Sequence, residues 1–337
     1  MKLTVGLIGL GRLGRVYARD LATRVAGVRL AAVADTNAKL AEETARELEV
    51  PRWHADPLAM LDEAGVEAAI IVSPTHTHTE LAVAALSRGK AGFCEKPPAL
   101  SLSETQKMKD AAAREKGFLQ MGFMRRFDAG YAAAKKRVDD GVIGTPIVFK
   151  SSSRDPYRPS LEYANPKSSG GMIVDMGIHD FDLARWYMGE VATVSAVGGT
   201  LAYPELNEVG DIDNAIVSLT FASGRLGVVD LSRSGIYGYD ISGEILGTTG
   251  TLRIGYLRET PLFVMTKNRV AHDTVPFFME RFRDAYPAQL QNFVDNLRHD
   301  RQPPITIDDA MGSLRIALAA TRAQATGKAV SLKDAAL

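Results

Sequence analysis

The stretch Val5-Gly6-Leu7-Ile8-Gly9-Leu10-Gly11-Arg12-Leu13-Gly14 decides the fold. An apolar, strand-like run ends in G-x-G-x-x-G. An apolar-periodic segment follows, from Leu13 through Val16 and Tyr17 to Leu21. A pyrophosphate sits only where the backbone comes close and free N–H groups point outward. Gly9 permits the tight turn, Gly11 removes a Cβ that would block the phosphates, and Gly14 lets the helix pack against the strand. The helix N-terminus, entered through Arg12 and Leu13, adds unpaired donors and a positive dipole end.

With 30 glycines in 337 residues, the glycine pattern alone recurs by chance, so its surroundings decide. A second apolar run, Val28 to Ala34, ends in Asp35, which puts a carboxylate at the tip of a second strand. A carboxylate there accepts hydrogen bonds from both adenosine ribose hydroxyls and repels a 2′-phosphate. NAD rather than NADP is the expected cofactor. The alternative is a glycine-rich turn and a solvated loop aspartate, but strand, glycines, helix and acid all point the same way.

Composition narrows the class. A chain of 337 residues exceeds one typical core, so two domains are expected. Lys plus Arg equals Asp plus Glu at 40 each, and no basic block or basic amphipathic helix suggests nucleic acid or a membrane surface. Met1-Lys2 leads straight into a strand without a signal-peptide pattern. No apolar run has the length to span a bilayer. One cysteine, Cys94, excludes an intrachain disulfide and a Cys-rich metal site. These features lead to the expectation of a cytoplasmic enzyme with a small-molecule substrate.

The first third alternates strand and helix signals. Strands are expected at Leu3–Ile8, Arg29–Ala34, Ala68–Val72, Gly92–Cys94 and Phe118–Met121, with helices around Arg12–Thr23, Ala38–Leu48, Thr77–Arg88 and Ser103–Glu115. This βαβ repetition predicts a doubly wound parallel sheet of the Rossmann type over residues 1–122. After Gly122 the pattern changes. A helix at Ala129–Asp139, a strand at Ile147–Ser152, an irregular loop from Ser153 to Gly171 and a helix at Asp175–Met188 precede five alternating runs. Those runs, Ala192–Gly198, Ala215–Phe221, Leu226–Leu231, Ile241–Leu246 and Thr251–Ile254, have glycine in their turns. They predict a C-terminal α+β domain over 123–337 with an open, mostly antiparallel sheet. Helices near Met279–Arg298 and Ile307–Thr326 close the chain.

Three segments carry candidate chemistry. Phe93-Cys94-Glu95-Lys96-Pro97-Pro98 ends a strand, where open α/β sheets bind ligands. Lys96 there can donate to a substrate hydroxyl or a ribose oxygen, or Glu95 and Lys96 form an ordinary surface pair. The Lys96–Pro97 bond is a candidate cis peptide. In Asp175-Met176-Gly177-Ile178-His179-Asp180-Phe181-Asp182, Asp175 and His179 are four apart and share a face if the segment is one helix. An aspartate beside a histidine orients the ring and stabilises its charged form, which suits a general acid/base. A histidine that only caps or packs is the competing reading, and a lone histidine with no second His or Cys nearby argues against a metal. Ser73-Pro74-Thr75-His76-Thr77-His78 follows the Ala68–Val72 strand, with Thr77 placed to cap the next helix. Arg125 lies at the crossover between the domains, in reach of cofactor or substrate or in an ion pair.

Together these residues resemble the Gfo/Idh/MocA oxidoreductases over nearly the whole chain. The glycine motif, Ser73-Pro74 with His78, Glu95-Lys96-Pro97 and Asp175-x-x-x-His179 match that family in order and spacing. Gly122-Phe123-Met124-Arg125-Arg126-Phe127-Asp128, Ser153-Arg154-Asp155-Pro156 and Tyr237-Gly238-Tyr239-Asp240 resemble its bacterial inositol 2-dehydrogenases. The resemblance implies Lys96, Asp175 and His179 as the catalytic trio. It implies Gly9, Gly11, Arg12, Leu13, Asp35, Ser73, Pro74, His78, Glu95, Lys96 and Arg125 around NAD. It places Lys96, Met124, Arg125, Asp155, Asp175, His179, Asp182 and Tyr239 around a polyol, with no metal. Myo-inositol is the expected substrate, ahead of scyllo-inositol or an aldose, and a non-catalytic NAD(P)-binding regulator is the reading from another class. Thr75 and Pro98 depart from the usual Asn and Leu, and the loop Pro156–Ser169 differs among such enzymes. A homo-oligomer, a tetramer as in similar enzymes, is expected from an open sheet face.

Overall fold

The structure, a computed structural model, describes residues 2–333; Met1 and residues 334–337 of the expected second domain lie outside the described residues. The chain divides into two compact units, one of Met1–Phe127 with Asp284–Gly312 and one of Asp128–Arg283 with Ser313–Leu337.

The first unit holds a six-stranded sheet in the order β3-β2-β1-β4-β5-β6, every neighbouring pair parallel. Its elements are β1 Leu3–Ile8, α1 Arg12–Thr23, β2 Val28–Ala34, α2 Ala38–Glu47, β3 Arg52–His54, α3 Pro57–Leu61, β4 Ala68–Ile71, α4 His78–Ser87, β5 Ala91–Glu95, α5 Leu102–Glu115 and β6 Leu119–Gly122. The central strands are buried along their length, which is why Ala-Ala-Ile-Ile reads as a continuous apolar run without alternation. The order reverses beside β1, where β2 pairs on one side and β4 on the other. This is the switch point at which doubly wound sheets bind ligands. Caps punctuate the helices: Asn37 Oδ1 accepts from Leu40 N at 3.2 Å, and Ser101 Oγ from Glu104 N at 3.2 Å. Strand β3 and helix α3 escape the sequence reading because three and five residues are too short to show a period.

Residues 284–312 belong to this first unit, whereas order along the chain assigns them to the second. Helix Ala285–Arg298 seats Tyr286 against Tyr17 with ring centroids 5.8 Å apart. Its Phe293 lies 5.7 Å from both Phe93 and Phe118. Met121 N donates to Ile305 O at 3.0 Å just beyond it. Helical periodicity finds such a segment, but the partner of its apolar stripe is a tertiary matter.

The second unit holds a seven-stranded sheet in the order β12-β11-β7-β10-β9-β8-β15, antiparallel except for β7 beside β10. It comprises α6 Ala129–Asp139, β7 Pro146–Arg154, α7 Leu161–Ala164, α8 Pro166–Ser169, α9 Met172–Asp175, α10 Ile178–Met188, β8 Val191–Gly199, β9 Asn214–Phe221, β10 Leu226–Ser232, β11 Asp240–Gly247 and β12 Thr251–Gly255. A small hairpin, β13 Val264–Met265 with β14 Val270–Ala271, stands apart from the sheet. Helix α11 spans Phe278–Arg281, helix Ile307–Thr326 runs through the return point at Gly312, and β15 is Val330–Ser331. Alternating burial along β9 marks one covered and one open face. Helix α10 packs on β7 and buries nearly all its length, His179, Asp180 and Asp182 included.

Three sequence expectations change. The expected single helix Asp175–Met188 is two, α9 and α10, interrupted at Met176-Gly177; a Cβ on Gly177 would lie 2.5 Å from Ile173 O. Asp175 closes α9 and His179 lies in α10, with Met176 and Gly177 between them both in right-handed helical conformation. The expected irregular loop 153–171 contains α7 and α8, each of four residues. The expected helix Met279–Arg298 is also two pieces, with Phe282 to Asp284 between them.

Candidate active site

In the first unit the expected cofactor residues gather at the carboxyl ends of β1, β2, β4 and β5. Gly9 adopts φ +91°, and a Cβ there would meet Ser73 N at 2.6 Å, so only glycine lets the β1 and β4 ends approach. Asp35 ties the loop to the tip of β2: its Oδ2 accepts from Leu10 N at 2.8 Å and its Oδ1 from Asn37 N at 2.8 Å. The residues fit a dinucleotide, because a Cβ on Gly11 would enter open space directly above the N-terminus of α1, which Arg12 and Leu13 begin.

His78 is buried, and both ring nitrogens face main-chain oxygens: Nδ1 lies 2.8 Å from Pro97 O and Nε2 2.9 Å from Ser73 O. It thus joins the loop after β4 to the loop after β5. The imidazolium donates to both carbonyls, the neutral ring to one. Burial lowers the ring's proton affinity, the two carbonyls oppose that, and Lys96 and His76 reinforce it. Thr77 stands at the N-cap of α4 but does not cap it; its hydroxyl donates to Pro74 O at 2.8 Å and meets Ser73 Oγ at 2.6 Å. The Lys96–Pro97 peptide is cis, as the two prolines suggested.

Glu95 is fully enclosed. Tyr17 Oη donates to its Oε1, Gln289 Nε2 donates to Tyr17 Oη and lies 3.4 Å from the same carboxylate oxygen, and Lys96 N donates to Oε2 at 3.1 Å. Burial pushes the Glu95 carboxyl above its usual range against the pull of these donors. Burial and the adjacent Glu95 push the Tyr17 phenol well up, so it remains a donor. A Cβ on Gly122 would lie 2.7 Å from Glu95 Oε1, so the end of β6 closes the pocket. Cys94 is buried and its thiol is pushed well up, which makes it inert. Met124 and Arg125 follow β6 in a buried turn of the same unit.

In the second unit the other candidates meet around the carboxyl end of β7. Asp155 follows that strand, with its N–H on Ser232 O at 2.8 Å and its carbonyl accepting from Gly235 N at 2.8 Å. Tyr239 immediately precedes β11, beside the Asp240–Arg154 pairing, and packs edge-on against Phe277 and Phe282 at 5.6 and 6.3 Å. The start of α10 is drawn to the same place by Asp180, whose carboxylate accepts from Ser151 Oγ at 2.5 Å and from Ser153 Oγ at 2.8 Å. His179 precedes Asp180, and Asp182 lies buried one turn on, with Ser313 Oγ 3.5 Å from its Oδ1. Asp175 Oδ1 accepts from Tyr163 Oη at 3.1 Å. Among the described residues no group of three His, Cys, Asp or Glu side chains could hold a metal, and no helix is long and apolar enough to cross a membrane.

The chain matches known proteins over nearly its whole length. Residues 3–123 match the oxidoreductase-family model with an NAD-binding Rossmann fold, and residues 135–332 match the same family's C-terminal alpha/beta domain. The chain belongs to the Gfo/Idh/MocA oxidoreductase family. It is 40% identical to a scyllo-inositol 2-dehydrogenase (NAD(+)) of Bacillus subtilis, over 97% of this chain and 95% of that protein. It is 36% identical to a myo-inositol 2-dehydrogenase of Thermotoga maritima, over 98% and 99%. It superimposes with a TM-score of 0.94, at 31% identity and over 99% and 100% of the chains, on a crystal structure of scyllo-inositol dehydrogenase from Lactobacillus casei with bound NAD(H) and scyllo-inositol.

Membership makes the first unit an NAD-binding domain and the chain an oxidoreductase. Two of its supports escape sequence reading. Tyr17 has the spacing of a core aromatic, which it also is, and Gln289 lies 194 positions from the carboxylate it faces. Neither leaves a local signal. Tyr17→Phe removes the donor aimed at Glu95 and is expected to destabilise the fold by about 1–3 kcal/mol. The denaturant midpoint measures this; an unchanged midpoint would mean that Glu95 does not depend on Tyr17.

Proposed function

We propose that this chain catalyses the NAD-dependent oxidation of a cyclitol, converting myo-inositol to 2-keto-myo-inositol. The observation that carries this reading is the gathering of Asp155, Asp175, His179 and Tyr239 at the carboxyl end of β7, in a chain whose other unit binds NAD and carries Lys96 beyond β5. A cyclitol presents hydroxyls all round its ring. A site of Asp, Arg, His, Lys and Tyr satisfies them, and an epimer that leaves one such group unpaired is penalised.

Bound NAD supplies the hydride acceptor. His179 takes the proton of the reacting hydroxyl as the C–H bond gives up its hydride and the carbonyl forms. Asp175 orients His179 and stabilises the imidazolium. Lys96 stabilises the charge that develops on the oxygen. Arg125, Met124, Asp155, Asp182 and Tyr239 hold the ring, while Ser73, Pro74, His78, Glu95 and Arg125 shape the nicotinamide end of the cofactor site. Scyllo-inositol is the second reading, favoured by the Bacillus subtilis and Lactobacillus casei proteins. The two cyclitols are epimers at the reacting carbon, so both give the same ketone and one mechanism serves both.

We also place the contacts of a homotetramer on the open face of the second unit's sheet. Exposed Val197 pairs with exposed Ile216 there, and exposed Leu246 and Leu226 flank Val148 in one row across β11, β7 and β10. Apolar surface of this kind marks association.

Three outcomes follow. Turnover in a panel of cyclitols and aldoses should be fastest with myo- or scyllo-inositol and should strongly prefer NAD, because Asp35 repels a 2′-phosphate; comparable kcat/KM with NADP would remove Asp35 from that role. His179→Ala should lower kcat by on the order of 10²–10⁴ while NAD still binds, and should abolish the rise of kcat/KM with pH that oxidation by a neutral imidazole requires. A near-normal kcat with the same pH limb would make Lys96 the base. Light scattering in solution should give the mass of a tetramer, and a monomeric mass would refute the assembly.

A further inference from the structure

Arg233 is the largest fully buried side chain described in the second unit, 1% exposed. It leaves the end of β10, where its own N–H donates to Asp213 O at 2.8 Å. Its Nη1 donates to Asp211 Oδ2 at 2.5 Å, and its Nη2 lies 3.7 Å from Asp175 Oδ2. Asp211, also buried, uses its other oxygen to accept from Met172 N at 2.9 Å, the first residue of α9. Asp175 is the last residue of that helix. The same pair of residues therefore meets both ends of α9, Asp211 by a hydrogen bond from the main chain and Arg233 by an ion pair with the Asp175 carboxylate.

A guanidinium stays charged at every accessible pH, so its burial requires negative charge beside it. Asp211 alone would supply that. The three groups together, two carboxylates and one guanidinium, keep one net negative charge. The cluster can thus fix the Asp175 carboxylate without cancelling it. Tyr163 Oη donates to the other oxygen, Oδ1, at 3.1 Å. Helices α9 and α10 part at Met176-Gly177, between Asp175 and His179, so side-chain anchors at Asp175 add to what the main chain fixes there.

We propose that Arg233, clamped by Asp211, is a positioning residue for Asp175 and acts on the reaction through it. This rests on the reading in which Asp175 orients the proton acceptor. A displaced catalytic group typically lowers the rate by up to about a hundredfold. Arg233→Met should therefore reduce kcat by roughly tenfold to a hundredfold while the KM for NAD stays unchanged, since NAD binds in the other unit. Arg233→Lys, which keeps the charge but not the fork, should restore part of that loss.

The deciding measurement is a double-mutant cycle with Asp175→Asn. If Arg233 acts through Asp175, Arg233→Met lowers kcat by less than about twofold once Asp175 is already Asn. An equal fall in both backgrounds overturns the positioning role and leaves the proposed function standing. An Asp175→Asn enzyme with normal kcat overturns both. Should Arg233→Met alone fail to fold because Asp211 is left uncompensated, Arg233→Met with Asp211→Asn removes both charges and keeps an acceptor for Met172 N; the same cycle is then run with this pair.

Discussion

A Cβ on Gly14 would stand 1.9 Å from the Gly9 carbonyl oxygen, so helix α1 and the turn after β1 touch backbone to backbone. Much of the first unit depends on that contact. It sets the N-terminus of α1 at the carboxyl end of β1, beside the open space over Gly11. It also fixes the direction of α1, and hence the place of Tyr17, about one turn beyond Gly14. Tyr17 then reaches the buried Glu95, and Glu95 holds the main-chain N–H of Lys96. One close approach of two glycines thus orders both the phosphate end of the cofactor site and the loop that carries a proposed catalytic lysine.

Both units place their reactive loops with buried carboxylates whose oxygens accept from several donors. Glu95 is served by Tyr17, Gln289 and Lys96 N, and Asp180 by Ser151 and Ser153. Asp213 accepts from the N–H groups of Leu201, Ala202 and Tyr203, which hold its carboxyl below the usual range despite burial. Buried ions are costly unless fully hydrogen-bonded, and fully bonded they make one arrangement much better than its neighbours. That is the demand of the proposed site, in which hydride and proton would leave one carbon and its oxygen together. Apolar packing alone tolerates small shifts that such chemistry does not.

Helix α10 illustrates how local and tertiary rules divide the work. Its burial on nearly all sides would suit an apolar helix, yet it carries His179, Asp180 and Asp182. Asp180 serves the fold by docking on β7, which leaves its neighbour His179 positioned at the strand end. The acid that sequence spacing drew attention to, Asp175, is instead on a separate short helix with its own anchors.

The sequence by itself determined most of the longer elements and the class of chemistry. Alternating strand and helix patterns gave the parallel sheet, glycine spacing pointed to an NAD-binding fold, and alternating runs gave the second sheet. These signals are local: each depends on residues within a turn, a strand or a βαβ unit. Tertiary structure alone decided that helix Ala285–Arg298 returns to the first unit and that α9 and α10 are separate. It also decided that His78 spans two main-chain carbonyls, and that Gln289 and Arg233 support residues far away in the chain. Each of these depends on which buried polar group finds which partner across long sequence separations. Periodicity reports that a face will be buried; it holds no record of what will lie against it.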